Sequence, residues 1–401
     1  MSKAPAKSAS PPPGEMKVCC LEALQAHIQE LAAVPGGLLP LSPSRLSSYL
    51  HNPRARPGDP LLFEWYIDAR LVAFRSLLPD HFLDADNKPK RFAWLSGTYV
   101  EPAYRRRGIS TILLKEAERR WQGRLMYTNY APAAKALFDN SGHFVRLALR
   151  QGRRYYLRSD LRGLLGQRLG FPALLGAADS LLNWSRERKL RAFSPVDPLL
   201  CRVEEIEDPL AFFTPGKEKG QAPEAEAVLK KSLFNRDAPT LAWILKYPWL
   251  RTLKQEEANP YNYPFSYQAK SFAQRLFRFS PPGEQNNTSP NTNLLWLTVH
   301  NKKLSIPYLW YDNPETLPSM ARHIVRFMIE EKLSYLTLRQ EALLPHMKNL
   351  TKSCIATRNM PQQIFVHQSL GGALARSYNT SDKASSRLPI FDGDGDVVFT
   401  G

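Results

Sequence analysis

Apolar positions in the first hundred residues follow first a helical and then a strand-like spacing. Residues 21–34 repeat apolar side chains at helical intervals, and residues 42–52 begin with a Ser-Pro pair, so both predict helices. Residues 61–78 predict two strands joined by a tight turn near Asp68. Residues 91–100 are apolar or small on both faces, which favours a strand inside a sheet.

Strands and helices continue to alternate after that strand. Residues 108–121 carry an apolar stripe at every fourth position and predict a helix. A strand is predicted at 124–130 and a helix at 131–140. Residues 143–159 predict a β-hairpin that turns at Gly152. This order is typical of a mixed α/β, α+β-like fold.

The remaining residues predict the same order of elements again. Residues 161–198 predict arginine-rich helices that link the two halves. We therefore expect a disordered leader at 1–15 and two related tandem domains, at 16–160 and 199–401. In the second of these, strands are predicted at 201–206, 266–279, 294–300, 304–311, 334–339 and 363–368, and helices at 223–233, 238–250, 317–332 and 340–350.

Length and composition agree with two soluble globular domains. The 401 residues are 43% hydrophobic and 23% charged. No apolar run is long enough to span a membrane, and the first residues lack the apolar segment of a secretory signal. The four cysteines show neither a zinc spacing nor a disulfide framework, so we expect no metal and a reduced, cytoplasmic setting.

The net charge of +17 lies mainly in the first half of the chain. Lys and Arg outnumber Asp and Glu by 30 to 17 in residues 1–200, and by 24 to 20 in residues 201–401. Such an excess attracts polyanions: nucleic acid, an anionic membrane surface, or a nucleotide cofactor with several phosphates. Charge alone does not choose among these three classes of partner.

Residues 100–110 place three arginines and a glycine between a predicted strand and a predicted helix. Pro102 ends the strand because it has no N–H for the sheet. A helix N-terminus exposes unpaired N–H groups, and a glycine lets an anion approach them closely. Arg105, Arg106 and Arg107 can add charge-assisted hydrogen bonds. The stretch predicts either a phosphate cradle or a solvated basic turn.

This stretch resembles the acyl-CoA-binding signature of the GNAT acyltransferase superfamily. In that signature a strand ending Val-x-Pro leads to Arg/Gln-x-x-Gly-x-Gly/Ala at a helix start, and here a serine takes the last position. The resemblance implies a GNAT-type acyl-CoA N-acyltransferase fold and acetyl-CoA as cosubstrate. It implies pantetheine contacts from Tyr99 and Val100, and pyrophosphate contacts from Arg105, Arg106, Arg107, Gly108, Ile109, Ser110 and Thr111.

A second segment, residues 129–144, resembles the family's asparagine, small-residue helix and Gly-Phe. Asn129 takes the place of the asparagine that meets the pantetheine arm. Phe138 stands in the cofactor site where many members carry a tyrosine that protonates the departing thiolate. The likeness covers roughly residues 16–160.

The whole chain also resembles uncharacterised bacterial two-domain GNAT-like proteins. Residues 311–320, at the corresponding junction of the second half, lack the arginines and the Gly-x-Gly. We therefore expect a degenerate second GNAT-like domain that binds no CoA and shapes the acceptor site.

The family chemistry implies direct attack of an amine on the acyl thioester in a ternary complex, assisted by a base. The acceptor can be a small molecule or a protein. Candidate bases are Glu101 and Glu64, followed by His81. Each also has a plainer interpretation: Glu64 as an exposed strand carboxylate, His81 as a loop residue, and Glu101 as a partner of the arginines.

Two other functions stay open on sequence grounds. A non-catalytic acyl-CoA sensor or scaffold is favoured by the missing tyrosine at Phe138, and a nucleic-acid-associated protein is favoured by the charge, although less strongly. Residues 392–396, Asp-Gly-Asp-Gly-Asp, resemble the opening of a calcium loop but lack its later glycine and glutamate. They predict a solvated or tucked tail.

Overall fold

The computed structural model describes the chain as a mixed α/β protein, as the sequence predicts. Most of the predicted leader lies outside the described residues. Those residues are 12–128, 132–162, 171–193, 201–216, 224–227, 229, 232–253, 262–280, 293–347, 354–378 and 389–399.

Most strands are short, and the longest, β3 and β4, lie side by side in the first half. In chain order the strands are β1 (Glu15–Cys20), β2 (Pro60–Ile67), β3 (Arg70–Leu83), β4 (Pro89–Val100), β5 (Leu125–Thr128), β6 (Phe144–Arg150), β7 (Arg153–Tyr156), β8 (Arg202–Glu205), β9 (Arg251–Thr252), β10 (Gln268–Ala269), β11 (Phe272–Ser280), β12 (Asn293–His300), β13 (Lys303–Trp310), β14 (Tyr335–Leu338), β15 (Ala356–Asn359) and β16 (Gln362–His367).

The helices between residues 21 and 141 begin and end within two residues of their predicted bounds. Among the described residues, no helix is both long enough and apolar enough to cross a membrane. The helices are α1 (Leu21–Ala32), α2 (Pro43–Leu50), α3 (Ile109–Trp121), α4 (Pro132–Ser141), α5 (Pro172–Phe193), α6 (Pro209–Phe213), α7 (Ala238–Lys246), α8 (Leu317–Glu330) and α9 (Gln368–Tyr378).

Two large sheets organise the described residues. The first sheet has the strand order β1-β2-β3-β4-β5-β16-β6, and the second has the order β15-β7-β14-β13-β12-β11-β8. The turn between β2 and β3 is tight as predicted, because Asp68 and Ala69 both adopt positive φ, at 49° and 60°. Helix α8 packs on the second sheet through Met320 and Ile324, which are fully buried.

The predicted hairpin at 143–159 is wrong, because its two strands lie in different sheets. β6 pairs with β16 in the first sheet, with Gln362 opposite Arg150. β7 pairs with β14 and β15 in the second sheet. Each sheet therefore includes a strand from the other half of the chain, and the domain bounds 16–160 and 199–401 stay a prediction.

Two chain segments cross and touch each other where β7 and β16 pass into the sheet of the other half. The Met360 N–H donates to the Gly152 carbonyl oxygen at 2.8 Å. A Cβ on Gly152 would lie 2.3 Å from the Met360 carbonyl oxygen, so the two backbones touch. Arg150 is buried there and donates to Gln362 Oε1 at 2.7 Å. Gly152 thus serves a close approach of two chain segments instead of a hairpin turn.

Two further predictions in the second half are wrong. Residues 266–279 do not form one strand, because Asn301 Oδ1 accepts hydrogen bonds from the N–H groups of Lys270 and Ser271 between β10 and β11. In the predicted helix 340–350, residues 341–343 and 345–347 form two short 3-10 turns. Pro345 separates them because it has no N–H to continue a helix.

The C-terminal segment 389–399 lies between the two sheets. A Cβ on Gly393 would lie 2.8 Å from the ring of Tyr308 in β13. Gly395 has a φ of +97°, and its Cβ position lies 3.0 Å from Thr128 in β5. Residues 392–396 therefore form a tucked tail, one of the two forms predicted, and its glycines allow the close packing.

Candidate active site

Strands β4 and β5 separate part of the way along the first sheet. They run parallel and pair at two positions only, Ala93 with Leu125 and Trp94 with Met126. β3 and β4 change register next to this point, which leaves Ser96 as a bulge residue on β4. Within the described residues, the β5-facing edge of β4 beyond Trp94 pairs with no other strand.

A cavity of about 280 Å³ opens at this fork. Ser96 and Thr128 line it from the two diverging strands, and Arg45 lines it from α2. The other walls come from the second half of the chain, which supplies Trp249, Tyr263, Phe265, Ser266, Asp396 and Val397. The cavity therefore exists only where the two halves meet.

Arg45 is the buried cation of this cavity. Its Nη2 donates to the hydroxyl oxygens of Ser96 and Ser76, both at 2.9 Å. Its guanidinium lies 4.1 Å from the ring centroid of Trp249, a cation–π contact. Its Nε has no hydrogen-bond partner among the described residues. Gly97 allows this packing, since a Cβ there would lie 3.2 Å from Arg45 Nη1.

Asp396 is the carboxylate of the cavity. Its Oδ2 accepts a hydrogen bond from the Ser96 hydroxyl at 2.7 Å, so the serine links it to Arg45. Burial raises the pKa of the Asp396 carboxyl, while the hydrogen bond from Ser96 and the charge of Arg45 oppose that rise. A carboxylate with a raised pKa beside an open cavity is suited to accept a proton.

The predicted anion site lies at the start of α3. Gly108 has a φ of +77° and Arg106 a φ of +61°, which turns the chain sharply into the helix. In the described part of the chain, the backbone N–H groups of residues 106–110 donate to no acceptor. Arg105, Arg106 and Arg107 are all exposed around them. These amides and charges can hold a phosphate.

The other predicted cofactor contacts lie on either side of this turn. Tyr99 and Val100 end β4 and are half-buried, and Arg105 Nε donates to the Val100 carbonyl oxygen at 3.0 Å. The Ile109 side chain is buried in the core. The N–H of Thr111 donates to the Gly108 carbonyl oxygen at 3.0 Å, so this amide already serves the helix.

The interpretation of Glu64 as an exposed strand carboxylate is wrong. It is fully buried, accepts a hydrogen bond from the Tyr66 hydroxyl at 3.1 Å, and lies 2.7 Å from His27 Nε2. The hydrogen bond to Glu64 raises the pKa of His27 despite burial. Glu64 does not line the cavity at the fork, so the structure does not bring it to the predicted cleft.

Glu101 and His81 also lie away from the cavity lining. Glu101 follows the outer end of β4 and pairs with Arg70 at 2.7 Å instead of with the arginines at 105–107. His81 lies within β3 and not in a loop, so that interpretation is wrong. Burial, and then the charge of Arg54, lower the pKa of His81 to about 4.

Phe138 and Asn129 complete the predicted site residues. Phe138 is buried and stacks on Tyr127, with ring centroids 4.0 Å apart, while Phe144 packs edge-on against it. The phenylalanine is thus part of an aromatic cluster under β5. Asn129 lies outside the described residues.

Sequence reasoning missed the residues that form the cavity. Arg45 lies in the predicted helix 42–52, where a single arginine has the pattern of an ordinary polar position. The one available signal was the unusual Asp-Gly alternation around Asp396. This pattern predicts a tail but does not indicate which part of the protein the tail packs against. Trp249 and Tyr263 belong to the second half, which was expected to shape the acceptor site, but neither residue was a candidate.

The first half of the chain is an α/β domain with a forked parallel strand pair and a helix N-terminus at the end of one strand. Residues 30–142 match the model of the Acetyltransferase (GNAT) family. This stretch, which holds β2 to β5 and α2 to α4, is a GNAT acetyltransferase domain, and the predicted GNAT resemblance is confirmed. No curated protein matches the chain.

Several solved structures resemble the chain at low identity. A GCN5-related N-acetyltransferase from Kribbella flavida is 11% identical, with 87% of this chain and 71% of that chain covered and a TM-score of 0.41. One from Anabaena variabilis is 10% identical, with 88% and 72% covered and a TM-score of 0.44. Eis1 from Mycobacterium abscessus is 11% identical, with 91% and 76% covered and a TM-score of 0.45. At these values the likenesses do not bear on substrate or mechanism.

Proposed function

We propose that this protein is an acetyl-CoA-dependent N-acetyltransferase that transfers the acetyl group to an amine by direct attack in a ternary complex. One observation carries the proposal. The unpaired edge of β4 runs from the backbone N–H groups near Gly108 to the cavity beside Ser96. The GNAT domain at residues 30–142 supports acyl transfer as the reaction class.

The length of this path suits CoA. Ser96 and Val100 are four residues apart on an extended strand, which spans about 13 Å. We place the pyrophosphate on the amides of residues 106–110 and the pantetheine along the unpaired edge of β4. The thioester then reaches the fork, where a backbone N–H of β4 can polarise its carbonyl.

Asp396 is the proposed base, in preference to Glu101 and Glu64, because it is the carboxylate that lines the cavity. It would take a proton from the attacking amine as the C–N bond forms, and the thiolate of CoA leaves as the C–S bond breaks. The buried charge of Arg45, which reaches Asp396 through Ser96, would stabilise negative charge at the fork. Trp249 and Phe265 would exclude water from it.

The second half of the chain would shape the acceptor site. It contributes most of the cavity lining, including the aromatic rings of Trp249, Tyr263 and Phe265. A cavity of about 280 Å³ admits a small amine or the end of a lysine side chain, so both acceptor classes fit. The four cysteines are free thiols, in keeping with the cytoplasmic location that we also propose.

Replacing Gly108 by valine is expected to weaken CoA binding by roughly 10- to 100-fold, measured by calorimetry. A side chain there blocks the amides, and each charge-assisted hydrogen bond lost weakens binding by about 1.5–3 kcal/mol. The matched control is Gly36→Val, since Gly36 also has a positive φ, +68°, with open space around its Cβ position. Equal loss of affinity in both variants would contradict the cradle.

Turnover of acetyl-CoA with a panel of amines, followed by thiol release, tests the proposed activity. We expect acetylation of at least one class of amine and no thiol release without an acceptor. CoA binding without turnover would favour the acyl-CoA sensor, in which Phe138 has no hydroxyl to protonate a thiolate. Polyanion binding without CoA binding would favour the nucleic-acid alternative.

A further inference from the structure

A cluster of metal-ligand side chains lies outside the cavity at the fork. Glu118 projects from α3, His143 lies between α4 and β6, and His367 ends the exchanged strand β16. One ligand atom of each side chain lies within 4.8 Å of the others. We propose that Glu118, His143 and His367 bind a divalent transition-metal ion of the zinc class.

The distances suit a tetrahedral ion. Both carboxylate oxygens of Glu118 lie 3.2 Å from His143 Nδ1. Zinc binds histidine nitrogen and carboxylate oxygen at about 2.0–2.2 Å, so neighbouring tetrahedral ligand atoms lie about 3.3 Å apart. Glu118 and His143 already have that separation, and the ligand atom of His367, which lies within 4.8 Å of both, would move closer to complete the set. The fourth position is left for water.

Two groups of Ser369 hold His367 through its Nδ1. Its Nδ1 lies 3.0 Å from the Ser369 hydroxyl oxygen, and that hydroxyl donates to the Gly123 carbonyl oxygen at 2.8 Å. The Ser369 N–H also lies 3.2 Å from Nδ1, so this nitrogen faces both a donor and an acceptor of Ser369. Metal binding at Nε2 would select the tautomer in which Nδ1–H donates to the Ser369 oxygen. Metal-binding histidines commonly donate their second N–H in this way.

Backbone contacts hold the ligands in place without the ion. The Gln368 N–H donates to the His143 carbonyl oxygen at 2.8 Å, and Gln368 Nε2 donates to the Gly142 carbonyl oxygen at 2.7 Å. A Cβ on Gly123 would lie 2.6 Å from the His367 ring, so only glycine allows this packing. The ion would therefore fasten the exchanged strand β16 to α3.

An ordinary ion pair explains only part of the cluster. A protonated His143 beside Glu118 accounts for the 3.2 Å contact. It does not account for a second imidazole, whose ring centroid lies 5.7 Å from that of His143 and whose Nδ1 is already engaged by Ser369. A shared cation accounts for all three side chains.

The test titrates the untagged full-length protein, freed of metal by a chelator, with Zn²⁺ by calorimetry and with Co²⁺ by visible absorption. We expect one ion per chain, an intense tetrahedral Co²⁺ spectrum, and a melting temperature raised by a few degrees. His143→Ala and His367→Ala should each lose the Co²⁺ spectrum. Ser369→Ala should weaken binding by about 10-fold, because it removes the hydrogen bond that orients His367.

His51→Ala is the matched control. His51 is an exposed histidine that follows α2 and stacks on Tyr247. It should bind the ion as the wild type does. Melting curves recorded with chelator establish that each variant is folded. The proposal is overturned if the wild-type protein shows no saturable binding, or if folded His143→Ala and His367→Ala proteins bind as tightly as the His51→Ala control.

Discussion

Replacing Asp396 by asparagine is expected to lower kcat for acetyl transfer by about 10²- to 10⁴-fold, the usual contribution of a positioned base. The amide keeps the size of the side chain and can still accept the hydrogen bond from Ser96, but it cannot take a proton from the amine. CoA affinity should be unchanged, because the amides at residues 106–110 lie at the far end of β4. Steady-state kinetics and calorimetry measure the two quantities separately.

The same variant is expected to change the pH dependence of the rate. Burial raises the pKa of Asp396, and only the ionised carboxylate can act as the base. The wild-type rate should therefore fall as the pH drops through that raised pKa, at a pH above the ordinary aspartate value of about 3.9. In Asp396→Asn the acid limb should disappear along with most of the rate. A pH profile of kcat/KM measures this.

Glu101→Gln and Glu64→Gln test the bases predicted from sequence in the same assay. Glu101 is paired with Arg70, and Glu64 is buried between His27 and Tyr66, so we expect kcat close to wild type in each folded variant. A loss of 10²-fold or more in either, with Asp396→Asn active, would assign the base to that glutamate instead.

Replacing Arg236 by methionine is expected to lower the free energy of unfolding by about 3–5 kcal/mol. Arg236 donates to both carboxylate oxygens of Asp80, at 3.1 and 2.8 Å, and to Asp394 Oδ1 at 2.7 Å, and all three side chains are buried. Removing the cation leaves two buried carboxylates without their partner, which is the costly way to break a buried ion pair. Urea denaturation followed by tryptophan fluorescence measures the change.

Arg275→Met is the matched control for that experiment. Arg275 pairs with Glu205 at 2.8 Å, but both side chains are more than 40% exposed, so the loss should stay within about 1 kcal/mol. If Arg236→Met were no more destabilising than Arg275→Met, the buried pair would not be what joins β3 to the C-terminal segment.

Local signals were sufficient for much of the fold. The tight turn near Asp68, the helix start at Gly108 and the apolar stripe of α3 all act within a few residues, and the structure has each of them as predicted. The same signals failed at Gly152. An alternating pattern around a glycine fits a hairpin, and nothing in it shows that another backbone occupies the space beside the glycine.

The candidate site also has one part that local sequence predicts and one part that it does not. The cradle at residues 105–110 is contiguous, so its arginines and glycine were visible in the sequence. The cavity at the fork is assembled from α2, β4, β5 and the second half of the chain, and no short window of sequence contains it. Glu64 and Glu101 were reasonable candidates by position, but they pair with His27 and Arg70, and neither lines the cavity at the fork.

By itself, the sequence determined helices α1 to α4, strands β2 to β5, the basic glycine turn and the likeness to GNAT acyltransferases. These depend on periodicity, capping and backbone conformations that neighbouring residues impose. Only the tertiary structure decided which strands exchange between the sheets and that Ser96 meets Asp396, a residue 300 positions away. Such contacts form because the packing of the two sheets brings distant segments together, and that packing depends on the whole chain at once.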